Sequence, residues 1–213
     1  MKCFGLTPEN LPALGQAGAA RRVPGLLYAM LFGGVSFSAV SVLAYSIWAY
    51  HLVPGTAAMY ATIAAIYVGL SGLALSRLVL APGAWKRFPL LFATVFIVYA
   101  VCWCAFWFGL KGKFHADLLG AIAGLAAATW MLQRAFGQTS SFLRLFAVLL
   151  VLHSAGYYVG GELHSLVGGP AGRLLWGAAH GLGFGAGLGY VLFHSQTPAK
   201  PSTKQGLPPQ LPI

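Results

Sequence analysis

Residues 178–190 read Ala-Ala-His-Gly-Leu-Gly-Phe-Gly-Ala-Gly-Leu-Gly-Tyr, with glycine at every second position from Gly181 to Gly189 and His180 directly before the run. Alternating glycine suits a phosphate-binding loop, a strand, or a helix packed very close to its neighbours. A dinucleotide loop needs G-x-G-x-x-G in a strand–turn–helix setting, with an acid about 20 residues further on. Here the run is Gly181-x-Gly183-x-x-Ala186 inside an apolar stretch, and the later segment KPSTKQG holds no acid. The reading that remains is a helix in lipid, where every backbone polar group has to be bonded within its own segment. On such a helix Gly183 and Gly187 share the His180 face with Trp176, while Gly181, Gly185 and Gly189 strip another. Two neighbouring helices are therefore expected to approach this one closely.

The composition agrees with a membrane setting. The 213-residue chain is 58% hydrophobic and 8% charged, with mean hydropathy +0.76; soluble domains carry about 25% charged residues. Six apolar runs are each long enough to span a bilayer: Pro24 to about Tyr50, Thr56 to Leu80, Pro89 to Leu110, Phe114 to Met131, Phe142 to Leu163 and Ala171 to Phe193. Pro–Gly pairs at Pro54-Gly55 and Pro82-Gly83, and Gly168-Gly169-Pro170, mark tight turns between them. The expected fold is all-α: a polytopic bundle of six transmembrane helices, with consecutive helices antiparallel.

The net charge of +10 comes from 13 Lys and Arg against Glu9, Asp117 and Glu162. The basic residues stand singly or in pairs between apolar runs, which is not the dense patch of a nucleic-acid binder. Six spans place Lys2, Arg21, Arg22, Arg77, Lys86, Arg87, Arg134, Arg144, Lys200 and Lys204 on one side, and Lys111, Lys113 and Arg173 on the other. By the positive-inside rule both termini are cytoplasmic, and the expected location is a cell membrane of the bacterial inner-membrane kind. Residues 1–22 form a cytoplasmic segment with a short surface helix from Thr7, and lack the pattern of a cleavable signal. Residues 23–195 are the transmembrane domain, and 196–213 a Pro-rich disordered cytoplasmic tail. Cys102 and Cys104 point about 200° apart on a helix and cannot pair; they and Cys3 are expected to be small buried apolar residues.

Ionisable side chains inside a membrane are rare and mark function. His153 and His180 lie midway along the fifth and sixth spans, at similar depth on adjacent helices. His153, Tyr157, Gly160 and His164 fall within about 60° of one another on the fifth helix, whereas Glu162 faces away. Asp117, Gly120, Gly124 and Ala127 or Ala128 line one face of the fourth. An outward-opening polar pocket among helices four, five and six is expected, lined by Asp117, His153, Tyr157, His164 and His180. The catalytic candidates are His153, His180, Tyr157 and Asp117, and the metal candidates His153, His164 and His180. His51 and His194 are boundary residues.

Several chemistries use such a set. Histidines with a carboxylate bind zinc with a position open for water, although H-E-x-x-H is absent. His153 and His180 could ligate haem from two helices, in space left by the small residues around them. Histidine and aspartate also serve as proton relays in transporters. Gly69-Leu70-Ser71-Gly72 resembles the G-x-S-G of rhomboid proteases, and Ala179-His180 with Gly183 and Gly187 is similar to their histidine helix. That resemblance implies a Ser71–His180 catalytic pair, but the rhomboid serine lies two helices before the histidine and Ser71 lies four before, so no family is assigned. Three function classes stand open. They are a membrane enzyme or redox protein acting on a lipid-soluble substrate, a proton-coupled transporter or small channel, and a structural subunit that meets a membrane partner through small-residue helix faces.

Overall fold

A computed structural model of the chain describes residue 6 and residues 25–81, 83–137 and 141–196. The expected surface helix from Thr7 and the tail beyond Gln196 lie outside the described residues. The described chain is all-helical. We number its six long helices α1 (Leu26–Ala49), α2 (Thr56–Leu78), α3 (Ala84–Gly109), α4 (Ala116–Phe136), α5 (Phe142–Val167) and α6 (Gly169–Gln196). Helices α1 to α5 are each long and apolar enough to cross a membrane. Helix α6 is the longest, at 28 residues, but its glycines dilute its hydropathy.

The termini of the helices follow turn chemistry. Gly55, Gly83 and Gly137 all take positive φ at helix ends, a conformation that costs glycine nothing. Gly168 alone separates α5 from α6, at φ 67°. Helix α3 begins at Ala84, earlier than the expected Pro89, which sits inside the helix. The cost is one backbone bond, because proline has no N–H to donate. In α2 the turn Tyr67–Ser71 is π-helical, and the Tyr67 hydroxyl lies 2.6 Å from Ser41 Oγ on α1.

Each helix packs on its neighbour in sequence, and α6 closes the ring against α1. Glycine makes that closure possible. A Cβ at Gly181 would lie 2.6 Å from both Ser38 Cα and Ser41 Cβ, one at Gly177 2.7 Å from the Tyr45 ring, and those at Gly185 and Gly189 would strike the carbonyls of Gly33 and Ala29. This ridge at every fourth residue therefore lies directly on α1. On its other side α6 meets α5: a Cβ at Gly183 would strike the Leu152 carbonyl, and one at Gly187 would lie 2.7 Å from Leu149 Cδ1. The two close neighbours expected for α6 are α1 and α5.

Polar contacts clamp α6 at both ends. Arg173 Nη1 donates to the carbonyls of Trp48 (3.2 Å) and Ala49 (3.4 Å) at the α1 C-terminus, and the guanidinium lies 4.6 Å from the centre of the Trp48 ring. A cation suits the negative end of a helix. At the opposite end the Gln196 amide donates to Leu78 O (3.2 Å) and accepts from Leu80 N–H (2.7 Å). Arg144 lies 3.5 Å from His194 there, so His51 and His194 both sit at helix boundaries. Cys102 and Cys104 are free thiols, and Cys104 is exposed on the bundle surface rather than buried as expected; its side of α3 faces outward.

The packing makes a direct prediction. Gly185→Ala pushes a methyl into the α1 backbone and should lower stability in micelles by about 1–3 kcal/mol, the usual range for overpacking. Gly161, with nothing within 4 Å of its Cβ position, should accept alanine with a change under about 0.5 kcal/mol. Denaturant unfolding of both variants is the measurement, and equal effects would refute the backbone contact.

Candidate histidine site

The closest approach of α5 and α6 places the histidines. Gly156 and Gly183 face each other, and a Cβ on Gly156 would lie 3.2 Å from Gly183 Cα. Both helices carry the same spacing at this crossing: His153-Ser-Ala-Gly156 on α5 and His180-Gly-Leu-Gly183 on α6. Because the helices are antiparallel, the two histidines flank the crossing, each about 4.5 Å along its axis from the glycine. Their side chains reach back across it and meet.

His153 Nε2 and His180 Nε2 are 3.2 Å apart. The rings are nearly perpendicular, at 85°, with centres 4.9 Å apart. His153 is 3% exposed and His180 is partly exposed. The Tyr99 hydroxyl on α3 is 2.8 Å from the same His153 Nε2. Phe184, one turn after His180, meets His153 edge-on at 4.8 Å and stacks beside His180 at 5.9 Å. Tyr157 lies parallel to His153 at 6.4 Å and edge-on to His180 at 5.6 Å.

Proton counting constrains this cluster. Two Nε2 atoms in hydrogen-bond contact hold one proton between them, so at least one neutral imidazole carries its proton on Nδ1. Yet Nδ1 of both His153 and His180 is buried without a hydrogen-bond partner. A buried polar group left in that state costs about 1–3 kcal/mol. The pair is thus a poorly satisfied fastener.

The remaining candidates are distributed differently from the expected pocket. Tyr157 joins the histidines. His164 does not: it lies further along α5, its ring 5.6 Å from Trp176 and 5.9 Å from Trp48, with Trp176 packed on Gly160. Asp117 is also apart, its Oδ2 accepting from the Tyr158 hydroxyl at 3.1 Å on an exposed face. The reason is the direction of α4's small residues. Cβ atoms at Gly120 and Gly124 would lie 2.8 Å from Trp103 Cα and from Tyr99 Cδ2, so that face is spent on α3. Helix α3, through Tyr99, takes the place expected of the fourth span.

Tyr99 was missing from the sequence-based set. Its signal was available: a tyrosine near mid-span, at the depth of the histidines, whose hydroxyl needs a partner once buried.

The geometry bears on each cofactor. Among the described residues no three His, Cys, Asp or Glu side chains gather to hold a metal. Haem does not fit between His153 and His180, because trans ligation holds the two nitrogens about 4 Å apart with a macrocycle between them. The small residues once expected to leave that room are in contact with backbone at Gly156 and Gly183. The Ser71–His180 pair is absent as well: Ser71 Oγ is buried without a hydrogen-bond partner.

A double-mutant cycle tests the Tyr99–His153 link. Tyr99→Phe and His153→Gln should couple by about 0.6–1.7 kcal/mol in unfolding free energy, from the average to the largest value typical of hydrogen bonds between membrane helices. The exposed pair Tyr158→Phe and Asp117→Asn should couple by far less. Additivity in the first cycle would remove the bond from the site.

Comparison of the chain with protein-family models, with curated proteins and with solved structures found no match.

Proposed function

We propose that this is a six-span integral membrane protein of a bacterial inner-membrane type, with both termini cytoplasmic. In this reading it is a membrane-embedded enzyme or redox protein, and the Tyr99–His153–His180 cluster acts on a small lipid-soluble substrate. One observation carries it: Tyr99 and His180 both lie within hydrogen-bond distance of His153 Nε2 in the bundle interior, and the two Nδ1 atoms are satisfied by no protein group. Ionisable groups at membrane depth are retained for function more often than for packing. His180 and Tyr157 are the partly exposed members, so they meet the substrate. His153 and Tyr99 stand behind them as the proton reservoir.

Transport fits less well. Beside the cluster, Phe37, Phe92, Phe96 and Phe184 interlock with Tyr67 and Tyr99 at ring separations of 5.1 to 6.4 Å. A polar path through the bundle would need those rings to part. The assembly-subunit reading also loses ground, since the glycine faces of α6 are filled by α1 and α5 of the same chain.

The test is direct. Protein purified from membranes in mild detergent is extracted with organic solvent, and the extract is analysed by mass spectrometry. A lipid-soluble compound should be enriched with the wild type and depleted at least tenfold in His180→Gln and Tyr157→Phe. No enrichment, or equal retention by both variants, would overturn the substrate reading. In proteoliposomes the wild type should pass protons no faster than empty vesicles; a flux abolished by His153→Gln would instead establish transport.

A further inference from the structure

The contact between the two imidazoles is shaped less like a hydrogen bond than like two ligands of one ion. A hydrogen bond running along both ring axes would put the ring centres about 5.5 Å apart, given a 3.2 Å nitrogen separation. They are 4.9 Å apart, so at least one nitrogen axis is turned away from the line joining the two nitrogens. Two imidazoles sharing a tetrahedral ion, with nitrogen–metal bonds of about 2.0–2.1 Å, hold their nitrogens about 3.3 Å and their ring centres about 5.2 Å apart, nearer the observed spacing than the head-on hydrogen bond. The nearly perpendicular rings leave the other coordination positions clear of both. Tyr99 oxygen, 2.8 Å from His153 Nε2, is about half an ångström closer than a tetrahedral edge and has to move out by that much to serve as a third ligand.

We propose that His153 Nε2, His180 Nε2 and the Tyr99 oxygen bind one late first-row transition-metal ion of the zinc type. This rests on the reading of the cluster as a reaction site and replaces its shared protons at Tyr99 and His153 with an ion, since three protein ligands leave a fourth position for water or substrate. Imidazole and phenolate suit zinc, copper and iron more than calcium or magnesium. The proton balance is simple. The one proton between the Nε2 atoms gives way to the ion, and both rings become Nδ1–H tautomers, so the imidazoles release none. Tyr99 releases one proton on becoming a phenolate, which leaves one positive charge on a divalent centre. An anionic ligand in the fourth position would neutralise it.

The ligand set differs from the one expected from sequence: Tyr99 replaces His164, which is held between two tryptophans. The site also lacks a usual feature. Metal-bound histidines nearly always donate their second nitrogen to a carboxylate or carbonyl, and here neither Nδ1 has a partner. The ion should therefore be exchangeable and removable by chelators, unlike a structural zinc.

The experiment uses the full chain, purified through a tag without histidines, stripped with chelator and titrated with Co2+ and Zn2+. One Co2+ per chain should bind with the visible absorption of a four-coordinate centre, and Zn2+ should displace it. His153→Gln and His180→Gln should each abolish stoichiometric binding, and Tyr99→Phe should weaken it by more than the roughly tenfold cost of losing an outer-shell partner, while His164→Gln binds as wild type. Circular dichroism and size-exclusion profiles establish that each variant is folded. No ion in the wild type, an octahedral Co2+ spectrum, or binding lost with His164 but kept without His153 and His180 would overturn the proposal. Solvent extraction separates this from the substrate reading. A lipid-soluble compound retained by a protein that binds no ion refutes the metal alone; an ion bound with no such compound refutes the substrate alone.

Discussion

Everything in this bundle depends on how closely α6 lies against α1 and α5. Lipid offers no hydrophobic drive for helices to associate, since acyl chains are as apolar as leucine. What remains is contact, and contact is greatest where side chains are missing. The ridge Gly177, Gly181, Gly185 and Gly189 brings the α6 backbone onto Tyr45, Ser38, Gly33 and Ala29. The offset pair Gly183 and Gly187 does the same toward α5. In water that many glycines would disfavour a helix by about 1 kcal/mol each. In lipid an open backbone has nothing to bond, so the helix persists and the glycines serve as docking surface.

That close approach also creates the site. Imidazoles reach only a few ångströms from their backbones, and helices separated by ordinary side chains would hold His153 and His180 apart. The reciprocal His-x-x-Gly spacing aligns each histidine with the point where the opposite helix has no side chain to block it. The same device acts at α3 and α4, where Gly124 admits the Tyr99 ring and steadies its hydroxyl beside His153. Site and packing are therefore one arrangement, and a glycine substitution at Gly156 or Gly183 would misplace the chemistry as well as loosen the helices.

Much of this was legible in the sequence because membrane sequence is strongly constrained. Long apolar runs broken by Pro and Gly located the helices to within a few residues, apart from the start of α3, where Pro89 stands inside the helix, and the end of α4, which runs past the expected Met131 to Phe136. Helical periodicity separated the two glycine faces of α6 correctly. It could not say which neighbour each face meets, because lipid-facing and helix-facing positions are both apolar. That gap explains the errors at the site. The small-residue face of α4 was visible, but its partner was taken to be α5 and α6 when it is α3, so Asp117 was drawn in and Tyr99 left out. His164 shares the stripe of His153, yet a shared face is not a shared site, and about three turns separate mid-span His153 from the tryptophan box around His164.

The cluster's surroundings differ sharply on its two sides. One side holds Phe37, Phe92, Phe96 and Phe184, which offer no lone pair and no donor. On the other, Tyr157 leads at 5.4 Å to Trp176, and Trp176 to His164 and Trp48, beneath Arg173. The second route ends where α1 finishes and α6 begins, at the end of the bundle that carries the fewer basic residues. A proton, or a substrate with a polar head, finds partners along it in tyrosine, indole and imidazole. The aromatic wall denies the same to anything continuing to the opposite face. On the proposed reading, a group walled by phenylalanine on one side reacts with what arrives from the other and returns it the same way. In that reading the partly exposed His180 is the imidazole an arriving molecule meets, and the buried His153 stands behind it.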